Sequence, residues 1–283
     1  MSTSTEFDTA KRWRKLAVEL GGVIGRSNRP VCLLLGAGAS LSSGCPTTGE
    51  VFATFEEATQ ARFDGMDLMR AIQTIPEHER QDCLRPLFAD AVPSSGYLAL
   101  ATLAQYRRVI VLNLNWDDMF IQACHRVGAA VAAFDIASDP GTWVSATQSE
   151  TGVVDIHLHG IVGEECRFGT LETLSFPSET ERFLVENGLR QTTVCLGASI
   201  NGENDLPGLF RQHLIRSDPM RPTSQHWYFV RGAANFDAND RLRQALTRAS
   251  SLTYISDTDI DFDEVATLMV DRALALISGG APK

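Results

Sequence analysis

Short apolar runs, each closed by turn-forming residues, set the rhythm of this chain. Val31-Cys32-Leu33-Leu34-Leu35 lies between Pro30 and Gly36. A run that short and that apolar predicts a strand buried on both faces. The pattern returns at residues 109–113, 153–158, 192–197, 226–231 and 252–255, and more weakly at 131–134 and 143–146. Between these runs the apolar positions recur at helical spacing. Helices are predicted over 6–25, 117–127, 177–187 and 262–277, the third with a proline near its first turn. Residues 48–105 read as mostly helical, broken at Asp64-Gly65, Pro76, Pro86 and Pro93.

Strands that alternate with helices predict an α/β fold, a Rossmann-like doubly wound parallel sheet covered on both faces. The 283 residues suit a single domain over 1–283. It would carry an N-terminal helix at 6–25 and a helical insertion subdomain at about 48–105, long enough to pack over one edge of the sheet.

Polar clusters follow several of the predicted strands. Gly36-Ala37-Gly38-Ala39-Ser40 comes after the first, and Ser43-Gly44-Cys45-Pro46 comes next. Asn115-Trp116-Asp117, His157-Leu158-His159-Gly160 and Gly197-Ala198-Ser199 close three later strands. In an open parallel sheet the C-terminal strand ends share one rim, where ligands bind. Glycines followed by a helix can cradle phosphate with backbone N–H groups. Gly36, Ala37, Gly38 and Ser40 are the candidates. The dinucleotide fingerprint is incomplete, because Leu41 stands where its third glycine belongs. A plain strand-to-helix turn remains the alternative for that segment alone.

Composition narrows the class. With 44% apolar residues the chain can bury a substantial core. No apolar stretch reaches membrane-spanning length. Residues 1–8 are polar and lack a signal peptide's apolar centre, so a cytoplasmic location and no membrane partner are expected. The net charge of −10 argues against direct nucleic-acid binding. The dense basic stretch, Lys11-Arg12-Trp13-Arg14-Lys15, reads as a solvated helix face or as a docking surface around Trp13. Cysteines at 32, 45, 83, 124, 166 and 195 include no C-x-x-C pair. Reduced thiols and no bound metal are therefore expected. A His157/His159 metal pair has no further ligand cluster to complete it.

In order along the chain, Gly-Ala-Gly-x-Ser, Ser-Gly-x-Pro, Asn-x-Asp, Leu-His-Gly and Gly-x-Ser resemble the sirtuin-like NAD-consuming family. The branch most resembled is the bacterial anti-phage defence branch, whose members hydrolyse NAD. The likeness runs from about Pro30 to the C-terminal helix, with Ser95-Gly96-Tyr97-Leu98 and Glu50 as supporting context. Sirtuin deacylases usually carry a four-cysteine zinc module, which these six cysteines do not supply.

The resemblance implies NAD as substrate and assigns roles. Asn115 and His159 would be catalytic, Asn115 placing the ribose and the attacking water, His159 taking a proton from a ribose hydroxyl or from water. Asp117 would bind the nicotinamide carboxamide. Pro46 belongs to the same binding face. Gly197 and Ser199 would contact the adenosine half, with Ala198 where the family often has an aromatic. Asp205 matches an acidic position of the family, and Asp257 is a weaker candidate beside the adenine. His157 stands where the family often has lysine and becomes a supporting candidate. Structural roles compete with these. Asn115 could be a helix N-cap, Asp117 a first-turn carboxylate, and Asp205 the cap of a helix at 206–215.

The implied function is cleavage of the nicotinamide–ribose bond of NAD to nicotinamide and ADP-ribose or its cyclic form. The alternatives are an NAD-dependent protein deacylase, an ADP-ribosyltransferase, or a non-catalytic sensor of NAD or ADP-ribose. Uncontrolled NAD hydrolysis would poison its host. A homo-oligomer is therefore expected, with a separate trigger protein. In this family such partners are ring-shaped translocase ATPases or short Argonaute-like proteins.

Overall fold

The computed structural model describes residues 12–60, 62, 75–135, 140–162, 183–189, 191–198, 225–231 and 252–279. Its centre is a parallel sheet. The strands are β1 (Val31–Leu35), β2 (Arg108–Asn113), β3 (Val131–Asp135), β4 (Gly152–His157), β5 (Thr192–Leu196), β6 (His226–Arg231) and β7 (Leu252–Asp257). Their order is β3-β4-β2-β1-β5-β6-β7, and every pairing is parallel. The winding reverses beside β1, so the C-terminal ends of β4, β2, β1 and β5 stand next to one another at the switch point. Around the sheet lie α1 (Arg12–Arg26), α2 (Thr48–Thr59), α3 (Glu77–Phe88), α4 (Ser95–Ala104), α5 (Met119–Val127), α6 (Pro140–Ala146) and α7 (Phe262–Gly279). A π-helical stretch spans Leu184–Leu189.

Period-two alternation divides the core. Val31, Leu33, Leu35, Val109 and Val111 face the layer of α1, α4, α5 and α7, where they meet Leu20, Tyr97, Phe120 and Met269. Cys32, Leu34, Leu112, Ile156 and Cys195 face the opposite way, against Trp143 of α6 and Leu184. Burial on both faces explains why these strands read as unbroken apolar runs.

In the first layer α1 and α7 approach closely. A Cβ at Gly21 would lie 2.2 Å from the Met269 carbonyl oxygen, and one at Gly25 would lie 2.8 Å from that of Ala273. Arg14 pairs with Glu264 across the same seam at 2.6 Å. Trp13 is 1% exposed and belongs to the core, which corrects its expected place at the centre of a docking surface. Of the described residues in that basic stretch, Arg12, Arg14 and Lys15 face outward.

A smaller cluster sits toward the rim. Val51 and Phe55 of α2 pack with Ile75 and Leu84, and Trp116 and Val162 of the rim loops pack against them. A capping box starts α2, with Thr47 accepting from the Glu50 N–H at 3.2 Å and Glu50 accepting from the Thr47 N–H at 2.7 Å.

Two local expectations fail. Residues 143–146 form part of α6 rather than a strand. Pro140 opens that helix, and helical spacing buries Trp143 and Thr147 while leaving Val144 47% exposed. Pro86 does not break its helix but lies inside the last turn of α3. There it sacrifices one hydrogen bond of a helix about to end. Residues 64–65 and most of 177–187 lie outside the described residues.

Candidate active site

Backbone hydrogen bonds continue the sheet past the strand ends and fix the rim loops side by side. The Leu114 N–H donates to the Leu35 carbonyl at 2.9 Å, that of Gly36 to Leu196 at 3.1 Å, and that of Leu158 to Asn113 at 2.8 Å. The Val162 N–H, donating to the Trp116 carbonyl at 2.7 Å, ties the loop after β4 to the loop after β2.

The loop after β1 is locked to the loop after β5. The Gly38 N–H donates to the Gly197 carbonyl at 2.9 Å. A Cβ at Gly36 would lie 2.4 Å from the Ala198 Cα, and one at Gly197 would lie 2.1 Å from the Ala39 nitrogen. Gly197 also has φ of 66°, in the left-handed region. These glycines allow two backbones to touch. The Ala39 and Ser40 N–H groups close short turns onto Gly36 and Ala37. Within Gly36–Ser40, only the exposed Ala37 N–H takes no backbone partner among the described residues.

Beside this loop three side chains meet. Ser40 Oγ and Tyr97 Oη lie 2.7 Å apart. Asn115 Nδ2 donates to both, at 3.1 Å and 3.3 Å. Asp117 lies close by, and the Ser40 hydroxyl favours its charged form. Either hydroxyl of the Ser40–Tyr97 pair can be the donor. Asn115 Oδ1 is buried and takes no hydrogen bond among the described residues. Tyr97 is held from behind by Phe262 and Phe120, with ring centroids 5.0 Å and 6.0 Å away. Burial pushes its phenol well above the usual range, and the nearby Asp117 adds to this, so it stays protonated. The N-cap of α5 is Asp118, so Asn115 is spent on this side-chain triangle rather than on capping.

Asp117 is 5% exposed. Burial raises its pKa, against hydrogen bonds from Ser40 and the Met119 N–H and the attraction of His157. Its bond to Met119 N, 3.1 Å, delays the helix predicted from 117 until Met119. His157 ends β4 and is fully buried. Its Nε2 lies 3.3 Å from Asp155 Oδ2, an ion-pair distance, and its Nδ1 lies 3.2 Å from the Asn115 carbonyl oxygen. Burial is the largest influence and disfavours its charge, but the Asp155 carboxylate, the Asn115 carbonyl and Asp117 together outweigh it and raise the pKa. His159 lies in the turn just beyond, 8% exposed, with Gly160 following at φ of 76°.

The remaining predicted positions are spread along the rim. Pro46 joins the Gly44 turn to the Thr47 cap of α2. Ala198, between the predicted contacts Gly197 and Ser199, receives the Tyr228 hydroxyl on its carbonyl at 2.6 Å. Asp257 ends β7, three strands from β1, roughly 14 Å along the sheet. Ser199 and Asp205 lie outside the described residues. Cys45 joins the site, its thiol driven up first by burial and then by Asp117. Among the described residues no group of three or more His, Cys, Asp or Glu side chains could hold a metal ion.

Sequence reasoning missed Asn113 and Asp155. The detectable signal was a polar residue inside an otherwise apolar buried strand, which must find a partner there.

No protein-family model matches the sequence, and the search of curated proteins gave no match. Among solved structures the chain is similar to a mutant Sir2 homologue in complex with 2′-O-acetyl ADP-ribose. The identity is 15% and the TM-score 0.52, over 93% of this chain and 99% of that one. It is also similar to a Sir2 homologue in complex with NAD, at 16% identity and TM-score 0.51, over 91% and 94%. At this identity the likeness establishes architecture, and the chain has the Sir2-type fold.

Proposed function

We propose that this Sir2-type chain is an NAD glycohydrolase, cleaving NAD to nicotinamide and ADP-ribose or its cyclic form. The observation that carries the reading is the state of Asn115. Its Nδ2 is held by Ser40 and Tyr97 while its buried Oδ1 has no partner among the described residues. An acceptor held in that way can orient a water or a ribose hydroxyl. His159 lies in the turn just after the neighbouring strand β4 and serves as the proton acceptor. The loops after β1 and β5 would receive the rest of the dinucleotide, with Gly36, Ala37, Gly38, Ser40 and Gly197 in contact and Pro46 beside them. Ser199 and Asp205 complete that set.

In this reaction the C1′–N bond breaks with its electron pair passing to the nicotinamide ring nitrogen. Water oxygen bonds C1′, and His159 accepts the water proton. The ribose gains positive character as in glycoside cleavage. Asp117, kept acceptor-only while ionised, receives the carboxamide N–H of nicotinamide. No metal has a role, so a chelator should leave turnover unchanged.

The biological setting follows from the sequence resemblance. The chain would deplete NAD in a cytoplasmic anti-phage response, its activity dependent on homo-oligomerisation and switched on by a trigger protein of the translocase or Argonaute-like kind. No helix among the described residues is long and apolar enough to cross a membrane. Chromatography of NAD incubated with the protein, alone and with the protein encoded beside it, tests the reading. Nicotinamide and ADP-ribose should appear without any acyl-peptide. NAD left intact in every incubation overturns the reading. Cleavage that requires an acetylated peptide and yields an acetylated ADP-ribose replaces it with the deacylase.

A further inference from the structure

We propose that Asp155 is a positioning residue for Asn115, a single carboxylate oxygen that fixes both backbone polar groups of that residue through Asn113 and His157. The proposal rests on the reading that Asn115 acts on NAD, and it adds residues to which no role has been given.

The geometry is a closed ring. Asp155 Oδ2 lies 3.3 Å from His157 Nε2 and 3.5 Å from Asn113 Nδ2. From His157 the other ring nitrogen reaches the Asn115 carbonyl oxygen at 3.2 Å. From Asn113 the side-chain oxygen accepts the Asn115 N–H at 3.0 Å. Both arms therefore end on the same residue, one on its N–H and one on its C=O, so they hold the two peptide units that flank the Asn115 Cα. The strands make this possible. Asn113 and His157 are register partners on β2 and β4, and Asp155 lies two residues before His157 on the same face.

His157 Nδ1 faces the Asn115 carbonyl, while Nε2 stands at ion-pair distance from Asp155 Oδ2 without the alignment of a hydrogen bond, so the link between the two side chains is electrostatic and depends on the ring carrying its proton. Asp155 and His157 are both fully buried. An ion pair in that setting contributes little net stability compared with apolar residues of the same shape. Its distinctive effect is orientation. The titratable groups around the pair are Asp117 in the loop after β2 and Cys124 on α5. Asp135 is in register with His157 on β3. Asp117 adds a second negative charge near the imidazolium, which ties the hub to the carboxylate beside the nicotinamide.

Asp155→Ala removes the hub, Asp155→Asn keeps its shape without charge, and Asn113→Ala cuts one arm. Each is examined by thermal melting, NAD turnover, histidine side-chain nitrogen spectra and hydrogen exchange at the Asn115 amide. Asp155→Ala should lower kcat by about 100-fold with KM changed only a few-fold, because a misplaced group hurts the transition state most. Asp155→Asn should release the His157 proton at lower pH than wild type. The Asn115 amide should exchange faster in Asp155→Ala and Asn113→Ala than in wild type. Unchanged exchange at Asn115, or a loss of kcat no larger than the loss of folded protein, overturns the proposal. If Asp155→Ala does not fold, Asp155→Asn and Asn113→Ala decide it. If wild type leaves NAD intact, the reading of function fails, and exchange at Asn115 still decides whether Asp155 positions it.

Discussion

The loops after β1 and β2 lie side by side on one rim, yet opposite means hold them. The first is backbone against backbone, with glycines at 36, 38 and 197 admitting contacts that no side chain would permit. The second is side chain against side chain, with Ser40, Tyr97, Asn113 and Asp155 spending their polar atoms around Asn115. A loop of the first kind fails when an atom is added. A loop of the second kind fails when one is removed. The first should therefore respond mainly in stability and the second mainly in rate.

The largest effect is expected from deleting the reactive groups. His159→Ala should reduce NAD turnover by about 10²–10⁴-fold while largely keeping NAD affinity, since a proton acceptor acts in the transition state. Asn115→Ala should be at least as damaging, at a stability cost of only about 1–2 kcal/mol. Turnover assays beside calorimetric NAD titrations check both. Wild-type rates in both variants would show that the site is elsewhere.

Adding a methyl group to the other loop comes next. Gly197→Ala and Gly36→Ala each drive a Cβ into backbone that has nowhere to move. About 3 kcal/mol or more should be lost, on the order of 6–12 °C in melting temperature. A melting temperature within a degree of wild type would mean that the two loops stand further apart than described.

Milder edits grade the second loop. Tyr97→Phe keeps the ring against Phe120 and Phe262 but removes the hydroxyl from the Asn115 triangle. Stability should fall by about 1 kcal/mol and turnover by a larger factor than that implies. Ser40→Ala should behave alike. Equal losses in rate and stability would erase the distinction between the loops.

The smallest effect concerns pH. The native pKa of His157 is raised, so the native state binds its proton more tightly than the unfolded chain does. The stability this supplies is complete below the unfolded value of about 6.5. It is lost as pH rises through the higher native value. Wild type should therefore melt at lower temperature in mildly alkaline than in neutral buffer, and His157→Gln should lack that component of the slope. Parallel curves for the two proteins would place the charge elsewhere.

Sheet and rim were largely legible because they depend on short-range pattern. An apolar run such as 31–35 can only be a strand once its length and its flanking Pro30 and Gly36 are counted. A polar cluster after such a run must lie at a strand end. What stayed hidden depends on partners distant in sequence. The Gly36 loop read as a phosphate cradle, but most of its N–H groups are engaged by backbone, two of them by residues 196 and 197. Asp155 passed as one more position of the strand at 153–158, because its partner Asn113 lies 42 positions earlier. Residues 143–146 misled through the β-propensity of tryptophan and valine, which a helix that buries Trp143 and exposes Val144 overrides.

The contact between Gly36 and Gly197 also sets a clock. About 160 residues of chain separate the two halves of the rim. At synthesis rates of about 5–20 residues per second, the ribosome needs on the order of ten seconds or more to deliver the second after the first. Until then β1 lacks its neighbour β5, and the loop after it has nothing to close against. A nascent chain truncated before β5 carries Asn115 and His159 but no assembled rim. The rim thus stays unassembled for most of the chain's own manufacture, and any activity that depends on it is withheld until then without help from an inhibitor.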